Sequence, residues 1–213
     1  MSSVTQFFST LQGRAVHSVQ LAGVRIRRRS LAAAAATLVV LAGIALAPPV
    51  IAKDRHDDGH WVGTWSASPQ PVAAPIQING QTVREIVHTS LGGNRVRVRL
   101  SNAYGTSALV IGSAHVAVSA GGGSITPGTD RKLTFNGSPA ITIPAGALAL
   151  SDPAALQVSG LDDLAVSLYL PENVAVTTQH DVGLQTNYIS TPGDFTHCIS
   201  SYRAIGEELA IGM

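Results

Sequence analysis

Short stretches in which apolar and polar residues alternate dominate the chain after residue 60. In Arg95–Leu100 each arginine is followed by valine or leucine, the period-2 pattern of a strand with one buried face. Leu164–Leu170 places Leu or Val at every second position and predicts a core strand. Within Thr82–Asn102 we predict two strands joined by a tight turn at Gly92–Asn94. Glu85 falls on the apolar side of the first strand, which predicts an edge or a bulge there.

The same reading along residues 61–196 predicts roughly nine or ten short strands with turn signals every 8–12 residues. No sustained helical period occurs in that range. The predicted fold class is therefore all-β, as a jelly-roll-like antiparallel β-sandwich. The predicted core comprises Val83, Val87, Leu91, Val96, Val98, Leu100, Val110, Val116, Val118, Leu133, Ile141, Ile143, Leu148, Val166, Leu168 and Leu170. A bend is expected at Gly112, inside the apolar stretch Leu109–Ser119.

The segment before the strands has the pattern of an export signal. Four arginines between Arg25 and Arg29 precede the apolar run Leu31–Leu46, and Val50-Ile51-Ala52 supplies a cleavage site after Ala52. We therefore predict that residues 1–52 are an N-terminal extension and a helical signal segment, so that the mature protein is secreted. Arg28-Arg29-Ser30-Leu31 also allows the twin-arginine route besides the general one.

An uncleaved membrane anchor is the alternative for the same run, although it is shorter than the roughly 20 residues of a typical membrane span. Residues 53–60 (KDRHDDGH) follow as a charged linker. Asp57 and His60 have the Asp-x-x-His spacing of some hydrolase bases. We interpret them as a solvated segment at a mature terminus, because a catalytic pair needs a rigid scaffold on both sides.

Charge and cysteine content narrow the classes of function. Residues 53–213 contain nine Lys and Arg against thirteen Asp and Glu, so this part is mildly acidic. It offers no electrostatic footprint for nucleic acid. Cys198 is the only cysteine, which excludes an internal disulfide framework. No cofactor or metal site is predicted.

Six blocks appear in a fixed order between residues 61 and 196. They are Trp61–Pro71 (WVGTWSASPQP), Gln81–Thr106 (QTVREIVHTSLGGNRVRVRLSNAYGT), Val110–Val118 (VIGSAHVAV), Pro127–Phe135 (PGTDRKLTF), Ile143–Pro153 (IPAGALALSDP) and Leu164–Pro171 (LAVSLYLP). This series resembles the N-terminal region of secreted bacterial two-domain esterases of the SGNH, or GDSL-lipase, superfamily. The resemblance implies a β-sandwich that precedes an α/β hydrolase domain, which carries the catalytic residues.

The catalytic motifs of that superfamily do not match positions of this chain. Its Gly-Asp-Ser nucleophile block has only Gly193-Asp194 as a counterpart, and Phe195 follows. Its Gly-x-Asn-Asp block is imitated by Gly92-Gly93-Asn94, but Arg95 follows. Asp57 and His60 precede the strands, whereas the superfamily's Asp-x-x-His lies near the C-terminus. We therefore predict no catalytic residue in this chain, and interpret residues 197–213 as an atypical tail from a truncated or frameshifted reading frame. Ala204–Ile211 within it has a helix-like pattern.

Three functions stay open at this point. The first is an accessory module that works with a catalytic SGNH domain; the second is an independent carbohydrate-binding module, with polysaccharide as partner. The third is a small hydrolase based on His88, His115 or His180. Tyr104, Arg95, Arg97 and Arg99 are the candidate ligand- or domain-docking residues, because a turn and an outward strand face would expose them. Trp61, Trp65, Tyr169 and Tyr188 are further aromatic candidates for sugar binding.

Overall fold

Antiparallel β-strands make up all the regular structure that the computed structural model describes, namely in residues 7–10, 60–72, 75–180, 184–205 and 210–211. These residues belong to one compact unit formed by Met1–Gln12 and His60–Met213. The all-β prediction is confirmed for this part, which contains no helix, and hence none that could cross a membrane. The predicted signal segment and Asp57 lie outside the described residues.

The sixteen strands are β1 (Phe7–Thr10), β2 (Trp61–Trp65), β3 (Gln70–Pro71), β4 (Gln77–His88), β5 (Val96–Ser101), β6 (Leu109–Ile111), β7 (Ser113–Gly121), β8 (Ser124–Ile125), β9 (Arg131–Lys132), β10 (Ile141–Ile143), β11 (Leu148–Leu150), β12 (Asp163–Ala175), β13 (Thr178–His180), β14 (Tyr188–Pro192), β15 (Tyr202–Ala204) and β16 (Ala210–Ile211). The largest sheet has the order β15-β14-β4-β12-β7-β8, with β9 also on β7. A four-stranded sheet has the order β11-β5-β1-β2, and two smaller sheets are β10-β6 and β16-β13-β3.

The predicted hairpin within Thr82–Asn102 is wrong. β4 pairs with β12 and β14, whereas β5 pairs with β1 and β11, so the chain leaves one sheet and enters another between them. Neither Gly92 nor Gly93 has a positive φ. Gly92 instead allows two backbones to approach closely, because a Cβ there would lie 2.6 Å from the carbonyl oxygen of Val158. Gly93 and Val158 exchange two backbone hydrogen bonds at this crossing.

Strands from both larger sheets contribute to one shared core. Most of the predicted core is confirmed as buried: Val83, Val87, Val96, Val98, Leu100, Val116, Leu133, Ile143, Val166, Leu168 and Leu170. Val118 and Ile141 are partly buried against it, and Val110 is half-buried. Leu91 and Leu148 are 41% and 55% exposed, so the prediction is wrong for both. Leu91 lies in the crossing segment, and Leu148 is on the outer side of β11.

Two further local predictions have clear outcomes. The bend at Gly112 is confirmed, since this residue separates β6 from β7, which belong to different sheets. The helix-like pattern over Ala204–Ile211 is not confirmed in its described residues, since Ala204 ends β15 and Ala210–Ile211 form β16. Residues 206–209 lie outside the described residues. β15 pairs with β14 and thereby extends the largest sheet.

The crossing at Gly92 generates a prediction for stability. We expect Gly92→Ala to lower the free energy of unfolding by about 2 kcal/mol or more, because the new methyl group meets backbone atoms that cannot rotate away. Gly160→Ala is the matched control in the facing loop, where a Cβ would lie 3.6 Å from the Ser90 carbonyl oxygen, an ordinary contact. Urea unfolding of both variants measures the difference. Equal stabilities would contradict the crossing described here.

Candidate functional site

The outer side of the four-stranded sheet carries most of the predicted docking residues. Val96, Val98 and Leu100 point into the core, so Arg95, Arg97 and Arg99 project from the opposite side of the chain. The neighbouring β11 buries Ala149 and exposes its flanking leucines. We call the resulting surface the arginine face; it consists of Trp61, Arg95, Arg97, Arg99, Leu148 and Leu150.

Aromatic and backbone contacts hold two of these arginines in place. The guanidinium carbons of Arg95 and Arg97 lie 5.7 and 5.4 Å from the centre of the Trp61 ring, within cation–π range. Arg97 Nε also donates a hydrogen bond of 2.9 Å to the Ser151 carbonyl oxygen. Arg99 differs, because its buried Nε has no hydrogen-bond partner among the described residues. The row therefore combines two anchored cations with one that retains an unused donor.

Carboxylates do not neutralise this row within the described part of the chain, where the salt bridges are His88–Asp163 and His115–Asp130. Asp152 is an acidic group that interacts electrostatically with Arg97. Its pKa is lowered mainly by the Gly137 N–H and the Thr134 hydroxyl, and the charge of Arg97 adds a smaller effect. The arginine face therefore carries positive charge without a salt-bridge partner among the described residues, and an anionic partner would complement it.

A cleft of about 440 Å³ opens at the Arg99 end of the arginine face. Its lining consists of Ser66, Ala67, Ser68, Pro69, Arg99, Ser101, Ala103, Gly146 and Leu148. Tyr104 directly follows the lining residue Ala103 and is 45% exposed. The structure therefore brings Arg95 and Arg97 together on one ring and places Arg99 in the cleft. Tyr104 lies in the loop that leads away from it.

Two histidine–aspartate pairs occur elsewhere on the largest sheet. His88 Nδ1 lies 2.8 Å from Asp163, and His115 Nδ1 lies 2.9 Å from Asp130. An aspartate on Nδ1 is the arrangement that orients a general base. Neither pair extends to a third group, because the aspartate is the only hydrogen-bond partner of either ring in the described structure. His180 has a buried Nδ1 without a described partner, and Asp181 beside it lies outside the described residues.

Arg84, on the opposite sheet from the arginine face, is fully buried, which the alternating pattern did not reveal. Its Nε donates to Ser167 Oγ, and its terminal nitrogens donate to the carbonyl oxygens of Gly123, Thr196 and Cys198, at 2.7–3.2 Å. The Tyr202 ring covers the guanidinium at 4.0 Å. Burial lowers the pKa of Arg84 and raises that of Tyr202 to about 12. Arg84 thus joins the loop before β8 and the segment before β15 to the sheet.

Glu85 is also buried, on the core side of β4, and the predicted edge or bulge there is wrong. β4 is a central strand, and its register irregularities lie elsewhere, at Leu170–Asn173 and Ile189–Pro192 on its two neighbours. Glu85 Oε1 has no hydrogen-bond partner among the described residues. Burial raises the pKa of this carboxyl well above its ordinary value, because the interior disfavours the charged form.

Comparison with family models and curated proteins identifies no relative of this chain. No protein-family model matches the chain, and no curated protein matches it significantly. Among the described residues, no cluster of three His, Cys, Asp or Glu side chains is placed to hold a metal ion. The resemblance to the SGNH esterases therefore stays a prediction.

Glu85 generates a prediction for the pH dependence of stability. The folded-state pKa of Glu85 is raised. Below the unfolded-state pKa of about 4.3 the carboxyl is protonated in both states, so its effect on stability does not change with pH. Above that pH the unfolded chain ionises first, and stability falls by up to about 1.4 kcal/mol per pH unit. The fall ends at the folded-state pKa. We expect Glu85→Gln to remove this decline above the unfolded-state pKa of about 4.3, as measured by urea unfolding. Glu172→Gln, at an exposed position of β12, is the control; an unchanged profile for Glu85→Gln would contradict the raised pKa of Glu85.

Proposed function

We propose that this chain is the accessory domain of a secreted SGNH/GDSL-type ester hydrolase and that it binds the catalytic domain through the arginine face. The domain is a jelly-roll-like β-sandwich. Ester hydrolysis takes place on the catalytic domain, through a Ser-His-Asp triad and an acyl-enzyme. The described chain supplies an interaction surface and is inactive on esters by itself. Its exported state follows from the signal pattern in residues 25–52.

The composition of the arginine face is the observation that carries this proposal. Leu148 and Leu150 are 55% and 41% exposed and lie on the same strand, beside an arginine row without carboxylate partners. Exposed apolar groups together with arginine and an aromatic ring are the residue types that protein interfaces favour. A surface of this composition is better suited to contact with a second folded domain than to contact with solvent.

The shared core supports the sandwich architecture. β4, β5 and β12 all overlap blocks that resemble the esterases, and side chains from all three pack into the same core. Val83 and Val166 come from the largest sheet and Val98 from the four-stranded sheet. Two sheets that bury their inner faces against each other are the defining arrangement of a β-sandwich.

The carbohydrate-binding alternative has weaker geometric support. A sugar platform needs an open aromatic face, and Arg95 and Arg97 already engage the ring of Trp61. Trp65 packs against the core and Tyr188 against a smaller buried cluster. Tyr104 is the aromatic candidate with large exposure, and a single exposed ring makes a poor platform. The hydrolase alternative has a base at His115 or His88 but no described nucleophile in contact with either.

Binding of a separately expressed SGNH catalytic domain tests the proposal. We expect Arg97→Glu and Leu148→Asp each to weaken its affinity for the full chain at least roughly tenfold, because charge reversal or a buried carboxylate opposes docking. Arg203→Glu and Leu184→Asp are matched controls at exposed positions away from the arginine face. Isothermal titration calorimetry measures the affinities.

The same preparations also test the assignment of chemistry. The chain alone should hydrolyse p-nitrophenyl acetate no faster than an unrelated β-sandwich protein, and His115→Ala should leave that background rate unchanged. Hydrolysis above the control that His115→Ala abolishes would establish a small hydrolase instead. If the variants of the arginine face and the control variants lost the same binding affinity, the arginine face would not be the docking surface.

A further inference from the structure

β1 lies inside the four-stranded sheet, between β2 and β5. It is antiparallel to both strands: Phe7 to Thr10 pair with Trp65 to Trp61 on one side, and Phe7 to Ser9 pair with Val98 to Val96 on the other. This four-residue segment therefore forms two hydrogen-bonded ladders at once. Sequence patterning gave no sign of it, because the segment is short and far from its partners along the chain.

β2 and β5 do not pair with each other in this sheet; β1 alone joins them. Neighbouring strands are spaced by about 4.8 Å, so β2 and β5 are separated by roughly 10 Å, the room that one extended strand needs. Both present a row of N–H and C=O groups toward that space. Without β1 these two edges would face each other unpaired, which is a costly arrangement that strongly favours a replacement strand.

The described pairing between β1 and β5 ends at Val98, and β5 continues from there to Ser101. At this end lies the cleft of about 440 Å³, bounded by Ser66–Pro69 after β2 and by Arg99 and Ser101 of β5. We call this cleft together with the position of β1 the acceptor groove.

The connection between β1 and β2 contains the predicted export signal. Cleavage after Ala52 would detach residues 1–52 and with them β1, while β2 and β5 would remain. Processing at that site would therefore convert a completed sheet into one with an empty strand position. The N-terminal segment would serve as a temporary occupant.

We propose that the acceptor groove binds an extended, acidic segment of a partner polypeptide by β-strand addition, antiparallel to β2 and β5. Backbone hydrogen bonds provide the affinity in this mode of recognition. Directly paired residues project on the same side of a sheet, so a partner residue opposite Arg97 or Arg99 meets its guanidinium. These arginines have no carboxylate partner in the described residues, so acidic side chains at those positions complement them.

The full chain with its own β1 displaced provides the test. Ser9→Pro removes an N–H from the middle of β1, which a central strand does not tolerate, and should vacate the groove. The probe is a fluorescent peptide with the sequence of residues 5–12 (TQFFSTLQ), read by fluorescence anisotropy. We expect it to bind the Ser9→Pro chain at least roughly tenfold more tightly than the unmodified chain, whose groove is occupied.

Two peptide variants test the recognition mode. Phe8→Glu places a carboxylate opposite Arg97 and should bind about two- to fivefold more tightly, and Arg97→Met in the chain should cancel that gain. Ser9→Pro in the peptide should abolish binding. Equal binding to the Ser9→Pro and unmodified chains, undiminished binding of the proline peptide, or no binding to a folded Ser9→Pro chain would overturn the proposal.

If the Ser9→Pro chain does not fold, hydrogen exchange on the unmodified chain decides. Excess peptide should remove protection from the amides of residues 7–10 while those of β2 and β5 stay protected. Unchanged protection of residues 7–10 would overturn the proposal. All these measurements are independent of ester hydrolysis, so the acceptor groove and the proposed function can fail separately.

Discussion

The largest sheet depends on the hydrogen bonds and the ring contact that the buried guanidinium of Arg84 makes. Burying a guanidinium is costly unless its donors are satisfied, and here Ser167 and three backbone carbonyl oxygens accept from it while Tyr202 covers its plane. The acceptors belong to segments that are far apart in sequence. The same bonds that satisfy the cation therefore hold the segments around Gly123 and Thr196 against β4 and β12.

Environment separates Arg84 from the arginines that we propose for docking. Arg84, Arg97 and Arg99 occupy alternating positions in strands, and Arg95 directly precedes β5. Arg84 is covered by residues from two later segments, whereas the row faces outward and stays without carboxylate partners in the described structure. A charge that is enclosed and fully hydrogen-bonded stabilises the scaffold. A charge left on an outward surface, beside exposed leucines, is available for binding, and this is the basis on which we propose the arginine face as a docking surface.

Alternation along β5 and β12 predicted the strands, their buried sides and the all-β class. It could not predict the partners, because a period of two says nothing about which strand pairs with which. The supposed hairpin between β4 and β5 failed for that reason, since Gly92 and Gly93 suit a close backbone crossing as well as a turn. The pattern predicted that Arg95, Arg97 and Arg99 lie together on one outward side of a strand. Their joint surface with Leu148 required the pairing of β5 with β11.

The buried positions of Arg84 and Glu85 illustrate the other limit of sequence reasoning. β4 is enclosed on both sides because distant segments cover its outer side, and no local pattern records that cover. An acid at an inward position therefore predicted an edge or a bulge, and nothing in the pattern indicated that Arg84 is buried. The prediction at Glu85 assumes that a strand has one solvent-exposed side, and this assumption fails for a central strand that is covered on both sides.

One substitution made at two arginines tests the separation of scaffold from binding surface most directly. Arg84→Met leaves three buried carbonyl oxygens without their donor and should lower the free energy of unfolding by about 3 kcal/mol or more. Arg97→Met, on the arginine face, should cost less than about 1 kcal/mol. Urea unfolding of the two variants beside the unmodified chain gives both values. Similar losses at the two positions, or a neutral Arg84→Met, would contradict the account.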